Sequence, residues 1–176
     1  MMVAALPKSR TNADEEKALL RGATTVLTGL RQQLAEAVDA DTAAYEQVVA
    51  AYRQPKATIE EKEARKAAIQ RALRSATDVP LGVMRLSVEA LEQASVVSAN
   101  GHKAAASDAG VAVALLSAAA AGARLNVEIN LEGVSDTPYA DAVRAEVKTL
   151  SAALAALSGH GSFAERIDPK REGPGA

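Results

Sequence analysis

From Ala13 to Tyr52 the apolar residues recur at steps of three and four, and that period limits what this stretch can fold into. Leu19, Ala23, Leu27, Leu30, Leu34, Val38, Tyr45, Val48 and Tyr52 fall on one face of a single long helix. Asp41 falls on the same face, where a side chain is expected to be withdrawn from water. A carboxylate held there must find a partner or shift its pKa and stay neutral. Two readings stand side by side: a structural acid that sets register or meets a cation from a neighbouring helix, or the ionisable group of a ligand site. Directly after the stripe, Tyr52-Arg53-Gln54-Pro55-Lys56 places two cations at the helix stop. An acid inside and cations at the rim suit a polar, anionic small molecule.

A helix of about 40 residues is roughly 60 Å long at 1.5 Å per residue. That is long for a compact monomer of 176 residues, so it is expected to bend or to pack against another subunit. A two-fold dimer is the commonest solution.

Composition supports helices. Hydrophobic residues make up 48% of the chain but aromatics only 2%, so the apolar mass is Ala, Leu and Val. Such side chains favour closely packed helices over a sheet of β-branched and aromatic residues. With 20 basic and 22 acidic residues the chain lacks the basic excess of a nucleic-acid binder. It has no cysteine, which removes disulfides, thiolate metal sites and a cysteine nucleophile, and fits a cytoplasmic location. The apolar start Met1–Leu6 is too short for a signal core. The uncharged, mostly Ala stretch from Ala109 to Ala123 falls short of the roughly 20 residues of a membrane span. It is read as a buried central helix, with no membrane partner.

Punctuation divides the rest. Pro7-Lys8-Ser9-Arg10-Thr11 reads as a loop, and Asn12 with Glu15 as a capping box. Pro55 ends the first helix. Thr58 and Glu61 form a second capping box for a charged helix through Leu73, whose run from Glu60 to Lys66 reads as a solvated face. Ser75-Ala76-Thr77-Asp78-Val79-Pro80 reads as a break, with Thr77 or Asp78 capping a new helix and Pro80 in its first turn. Asn100-Gly101 ends that helix with residues that tolerate a left-handed backbone. Ser107-Asp108 opens the Ala-rich helix, which runs to about Leu131 before Gly133. Ser135-Asp136-Thr137-Pro138 starts a last helix to about Leu157. The expected architecture is an all-α, up-and-down bundle of about five helices over residues 1–158, followed by a polar tail over 159–176.

Asp108, Ala112, Leu115, Ala119, Gly122, Asn126 and Asn130 share one face of the Ala-rich helix. Small residues in its middle admit another backbone or a flat ligand. Asn126 and Asn130, one turn apart, can bind one partner together or satisfy a loop backbone. Asp108 also suits the first turn of a helix for dipole reasons alone. His102 and His160 lack ligand-spaced companions and no nucleophile motif appears, so neither a metal nor Ser-His-Asp catalysis is expected.

Four blocks, in order, resemble the folate cyclodeaminase/cyclohydrolase family. They are Ala50-Ala51-Tyr52-Arg53-Gln54-Pro55-Lys56, Ala76-Thr77-Asp78-Val79-Pro80-Leu81, Ser107-Asp108-Ala109-Gly110-Val111 and Leu125-Asn126-Val127-Glu128-Ile129-Asn130-Leu131. The resemblance covers about Met1 to Leu157, without the Pro- and Gly-rich opening segment usual in that family. It implies an all-helical homodimer acting on a tetrahydrofolate one-carbon adduct, as a methenyltetrahydrofolate cyclohydrolase or a formimidotetrahydrofolate cyclodeaminase, with no metal or further cofactor. It also implies site roles: Asp41 as proton carrier or pterin partner, Tyr45 and Tyr52 lining the pocket, and Arg53 and Lys56 on the glutamate carboxylates. Asn126 and Asn130 would meet pterin edges or water, and Asp108 joins as a further candidate. The alternatives are a non-catalytic helical interaction protein and an inactive folate-binding relative.

Overall fold

The computed structural model describes residues 13–159. The loop and Asn12 cap expected before the first helix, and the tail from His160 onward, lie outside the described residues. Four long helices account for nearly all of the described chain: α1, Ala13–Tyr52; α2, Ile59–Asn100; α3, Ala106–Leu131; and α4, Thr137–Gly159.

The expected fifth helix disappears because α2 runs unbroken through Pro80. Thr77, expected as a cap, is fully buried in the helix interior, and its Oγ1 donates to Leu73 O at 2.8 Å. The capping box at the start of α2 forms as the sequence suggests: Glu61 N donates to Thr58 Oγ1 at 3.1 Å, and Thr58 N donates back to Glu61 Oε2 at 3.1 Å. At the other end Gly101 takes an extended backbone, φ −80°, rather than the left-handed one expected. A short 3₁₀ turn, Lys103–Ala105, then leads into α3; His102 Nδ1 accepts from Ala104 N at 3.2 Å. α3 begins at Ala106 with no side-chain cap, so Ser107 and Asp108 lie inside its first turn. Asp136 caps α4, accepting from Tyr139 N at 3.0 Å, with Pro138 just inside.

α2, not the Ala-rich helix, is central. One side packs antiparallel on α1, where Leu20 and Ala23 meet Val97 at one end and Ala51 meets Ala68 and Ala72 at the other. The opposite side carries Leu81 and Met84 against Ala120, Ala123, Val127 and Leu131 of α3 and Ala140, Val143 and Val147 of α4. Each fully buried side chain of the size of Leu81, Met84 or Val127 stabilises the fold by about 1.5–3 kcal/mol. The turn between α3 and α4 is tight: a Cβ on Gly133 would stand 2.9 Å from Leu73 Cδ1. Gln70 fastens that turn with both ends of its amide, donating to Gly133 O at 2.9 Å and accepting from Ser135 N at 2.7 Å.

α3 is the apolar helix that composition suggests, yet its outer face is open. The segment Lys103–Leu131 is long and apolar enough to cross a membrane by length and composition, and only 17% of its most apolar window is buried. Val111, Leu115, Leu125 and Ile129, with Ala118 and Gly122 between them, form an exposed strip down one side.

Candidate functional site

The contacts along α2 set the height of every candidate residue. Interpolating between Leu20–Val97 and Ala51–Ala68 brings Asp41 to the level of Ala76–Asp78. Asn130 of α3 reaches the same turn, donating from Nδ2 to Ala76 O at 2.6 Å. Tyr139 of α4 reaches it too, with its hydroxyl donating to Asp78 Oδ1 at 2.7 Å. One turn in the middle of α2 therefore carries groups from α3 and α4, with Asp41 of α1 at its level.

The packing of α1 on α2 continues past this height, with Leu30 and Ala44 of α1 both buried. The α1 residues that face α2 follow a steady four-three spacing through Leu20, Ala23, Leu27, Leu30, Leu34, Ala37, Asp41, Ala44, Val48 and Ala51. The apolar contacts fall into two clusters, one around Leu20 and one around Ala51, and Asp41 lies between them. The stripe expected to be buried is only partly so: Asp41 is exposed, and so are Leu19, Val38, Tyr45 and Tyr52, while Leu20, Ala44 and Ala51 take the inward positions. Ala44, three residues on, is buried, so the carboxylate reaches water beside a packed seam.

The other candidates divide by place. Tyr45 lies one turn from Asp41 and shares an open depression of about 580 Å³ with Glu46, Val49, Ala50, Arg53 and Gln54. Arg53 lines its far end, Tyr52 and Lys56 lie outside its lining, and all three are exposed where α1 stops. Asn126 is exposed one turn before Asn130. Asp108 sits in the first turn of α3, at its far end from Asn130. Twenty-two residues of helix separate the two by about 33 Å. Within one chain Asp108 does not meet the other candidates.

Several contributing side chains escape sequence reasoning because their partners lie more than ten, and mostly more than 60, residues away. Arg65 closes the end of α1: its Nε and Nη2 donate to Tyr52 O at 3.3 and 3.0 Å, and its guanidinium lies 5.6 Å from the Tyr52 ring centre. Arg74 pairs with Asp136 at 3.0 Å and stacks 4.5 Å over Tyr139. Arg85 makes a bidentate pair with Glu146, Nη2 to Oε2 at 2.7 Å, which holds the Glu146 carboxyl below its usual range. The only sequence signal for the Tyr139 cluster was Asp78 itself, read there as a cap.

Tyr139 has a measurable consequence. Burial first, and then its hydrogen bond to the Asp78 carboxylate, push its pKa well above the ordinary value of 10.0. Above that value the unfolded tyrosine ionises while the folded one keeps its proton, so folding loses stability as pH rises. The contribution is complete below pH 10 and disappears as pH climbs towards the folded-state pKa. Urea unfolding of Tyr139→Phe between pH 9 and 11 is expected to show a flatter alkaline decline than the parent; equal slopes would assign the decline to other groups.

Known proteins resemble the chain along most of its length. Residues 1–149 match the family model described as formiminotransferase-cyclodeaminase. Methenyltetrahydrofolate cyclohydrolase of Methylorubrum extorquens is 42% identical over 130 residues, which are 74% of this chain and 62% of that protein. Formimidoyltransferase-cyclodeaminase of Sus scrofa is 36% identical over 118 residues, 67% of this chain and 22% of that protein. The chain thus spans about three-fifths of the first relative's length and about a fifth of the second's. The crystal structure of formiminotetrahydrofolate cyclodeaminase from Thermotoga maritima superposes with a TM-score of 0.77 and 24% identity, covering 89% of this chain and 74% of that one, a likeness of fold. With the family model spanning more than four-fifths of its residues, the chain belongs to the formiminotransferase-cyclodeaminase family.

Proposed function

We propose that the chain opens or closes the methenyl bridge of tetrahydrofolate, and that hydrolysis of methenyltetrahydrofolate is its reaction. The observation that carries the reaction is the 42% identity with a methenyltetrahydrofolate cyclohydrolase over three-quarters of the chain. The second reading, cyclodeamination of formimidotetrahydrofolate, draws on the relatives named for that activity.

In the hydrolytic direction water adds to the methenyl carbon and gives up a proton. The resulting hydroxyl then gives up its proton as one carbon–nitrogen bond of the five-membered ring breaks and that nitrogen takes a proton, leaving a formyl group on the other nitrogen and one proton released overall. In the deaminating direction a folate nitrogen attacks the formimino carbon and ammonia leaves. Both need a positioned proton carrier beside a tetrahedral centre, and neither needs a redox cofactor. Asp41 is assigned the proton, as an exposed carboxylate on α1 at the level that Asn130 reaches on α2. Asn126 and Asn130 are assigned to the pterin edge, Tyr45 and Tyr52 to the wall, and Arg53 and Lys56 to the carboxylates of the glutamate tail. Asp41 and Arg53 are about 18 Å apart along α1, a spacing that suits an extended ligand with a polar ring at one end and anions at the other.

The proposed assembly is a cytoplasmic homodimer with the site at its interface. Asp41, Tyr45, Arg53 and Asn126 are all exposed in one chain, and a site for so polar a reaction needs walls that exclude bulk water. The exposed strip of α3 runs past Asn126, so a second copy seated on that strip would supply such a wall.

The test is the loss of methenyltetrahydrofolate absorbance, run beside formimidotetrahydrofolate conversion and calorimetric folate binding. Turnover of the first substrate is expected. Binding without turnover of either would leave a folate-binding relative, and neither binding nor turnover would leave an interaction protein. Arg53→Ala is expected to raise the KM about tenfold, and further for polyglutamylated substrate, with kcat nearly unchanged. An unchanged KM would take Arg53 out of the site.

A further inference from the structure

Pro80 stands in the middle of a 42-residue helix. A proline there removes one backbone donor, and its ring forces the carbonyl four residues earlier out of line. The carbonyl concerned is that of Ala76, in a buried turn. A buried carbonyl without a donor is costly, so some other group must serve it. Asn130 does so from the neighbouring helix, at 2.6 Å. A carbonyl can only accept, and this fixes which end of the amide faces α2: Nδ2 points to Ala76, and Oδ1, on the other arm of the planar group, points away from it.

We propose that Pro80 is a positioning residue of the site. By withholding its own helix hydrogen bond it turns Ala76 O towards α3, locks the Asn130 amide in one orientation, and leaves Oδ1 as a fixed acceptor for an N–H on the edge of a bound pterin. The proposal rests on the folate reading above. The most costly backbone choice in α2 falls at the level of Asp41 along the bundle, and its effect passes to Asn130 through a single hydrogen bond. With alanine at position 80, a regular N–H would draw the Ala76 carbonyl back along the helix axis, and Asn130 would regain its free rotamers before binding.

The test compares the parent chain with Pro80→Ala, Asn130→Ala and the double variant. Exchange of the Asn130 side-chain amide is followed by NMR, and methenyltetrahydrofolate binding and turnover are measured on each. In Pro80→Ala, faster Asn130 amide exchange is expected, together with a rise of about fivefold to tenfold in Kd and KM. The kcat is expected to stay within about twofold, since the lost contact is made equally before and at the transition state. Helix content and thermal midpoint are expected to be kept or raised, which separates this loss from misfolding. Asn130→Ala is expected to weaken binding similarly, and the double variant no more than Asn130→Ala alone, because the two act through one bond. A Pro80→Ala chain that binds folate like the parent, or that keeps its Asn130 amide protected, overturns the role of Pro80 and leaves the folate reading intact. A parent chain that neither binds nor converts folate overturns both.

Discussion

Asp41→Asn is expected to lower kcat by about a hundredfold to ten-thousandfold, the range associated with loss of a positioned proton carrier. The thermal midpoint should move by no more than about 2 °C, because exposed substitutions away from caps and packed contacts stay within about 0.5 kcal/mol. The contrast follows from where the residue stands. Asp41 falls in the α1 spacing three residues before buried Ala44, yet its side chain is exposed. An acid that merely locked α1 to α2 would hold an ion pair or a buried hydrogen bond, and its amide would cost stability in proportion to activity. Asparagine keeps the size and most of the hydrogen-bonding capacity of the side chain and loses only the ability to take up and release a proton. A matched fall in both quantities would make Asp41 a structural acid, and an unchanged kcat would move the proton to another group.

The limits of the helices were legible because their signals are local. The stop after Tyr52, the Thr58–Glu61 box, the end of α3 at Leu131 and the Asp136 cap each depend on residues within four positions of one another. The break expected at Pro80 failed for the opposite reason. Whether a proline ends a helix depends on who serves the freed carbonyl, and here the donor is Asn130, 54 residues away. The Asn pair was visible as a polar feature, but the partner of Asn130 was not. The stripe on α1 was drawn too far round the helix: Leu19, Val38, Tyr45 and Tyr52, expected inside, are exposed with Asp41, and the smaller Ala44 and Ala51 are buried beside Leu20, because Ala-rich spacing offers two adjacent apolar faces and only the partner helix selects one. The Ala-rich helix was read as central because its composition is apolar all round. Composition cannot say whether the covering surface belongs to the same chain.

That question leads to the second large effect, on assembly. Leu115 is 67% exposed and Ile129 65% exposed, on the same strip of α3 as Val111 and Leu125. A Cβ on Gly122, in the middle of the strip, would meet nothing within 4 Å. The small residue there is not required by contacts within the chain, contrary to close packing against its own neighbours. A continuous exposed apolar strip of this kind marks an interaction surface, and we expect a second copy of the chain to cover it. The Leu115→Glu/Leu125→Glu double variant would then bury two unpaired carboxylates in each subunit's interface, a penalty of several kcal/mol per dimer. At 1.4 kcal/mol per factor of ten, the dimer is expected to weaken by about a thousandfold or more. Sedimentation at micromolar concentration should find the parent as a dimer and the variant as a monomer with its helical circular dichroism retained, since both positions are exposed within one chain. If the site also needs its partner's wall, turnover per chain should fall with dilution in the parent and be nearly absent in the variant. A parent that sediments as a monomer would remove the dimer. A monomeric variant with full turnover would confine the site to one chain, with α1 and α3 of that chain supplying every group the reaction uses.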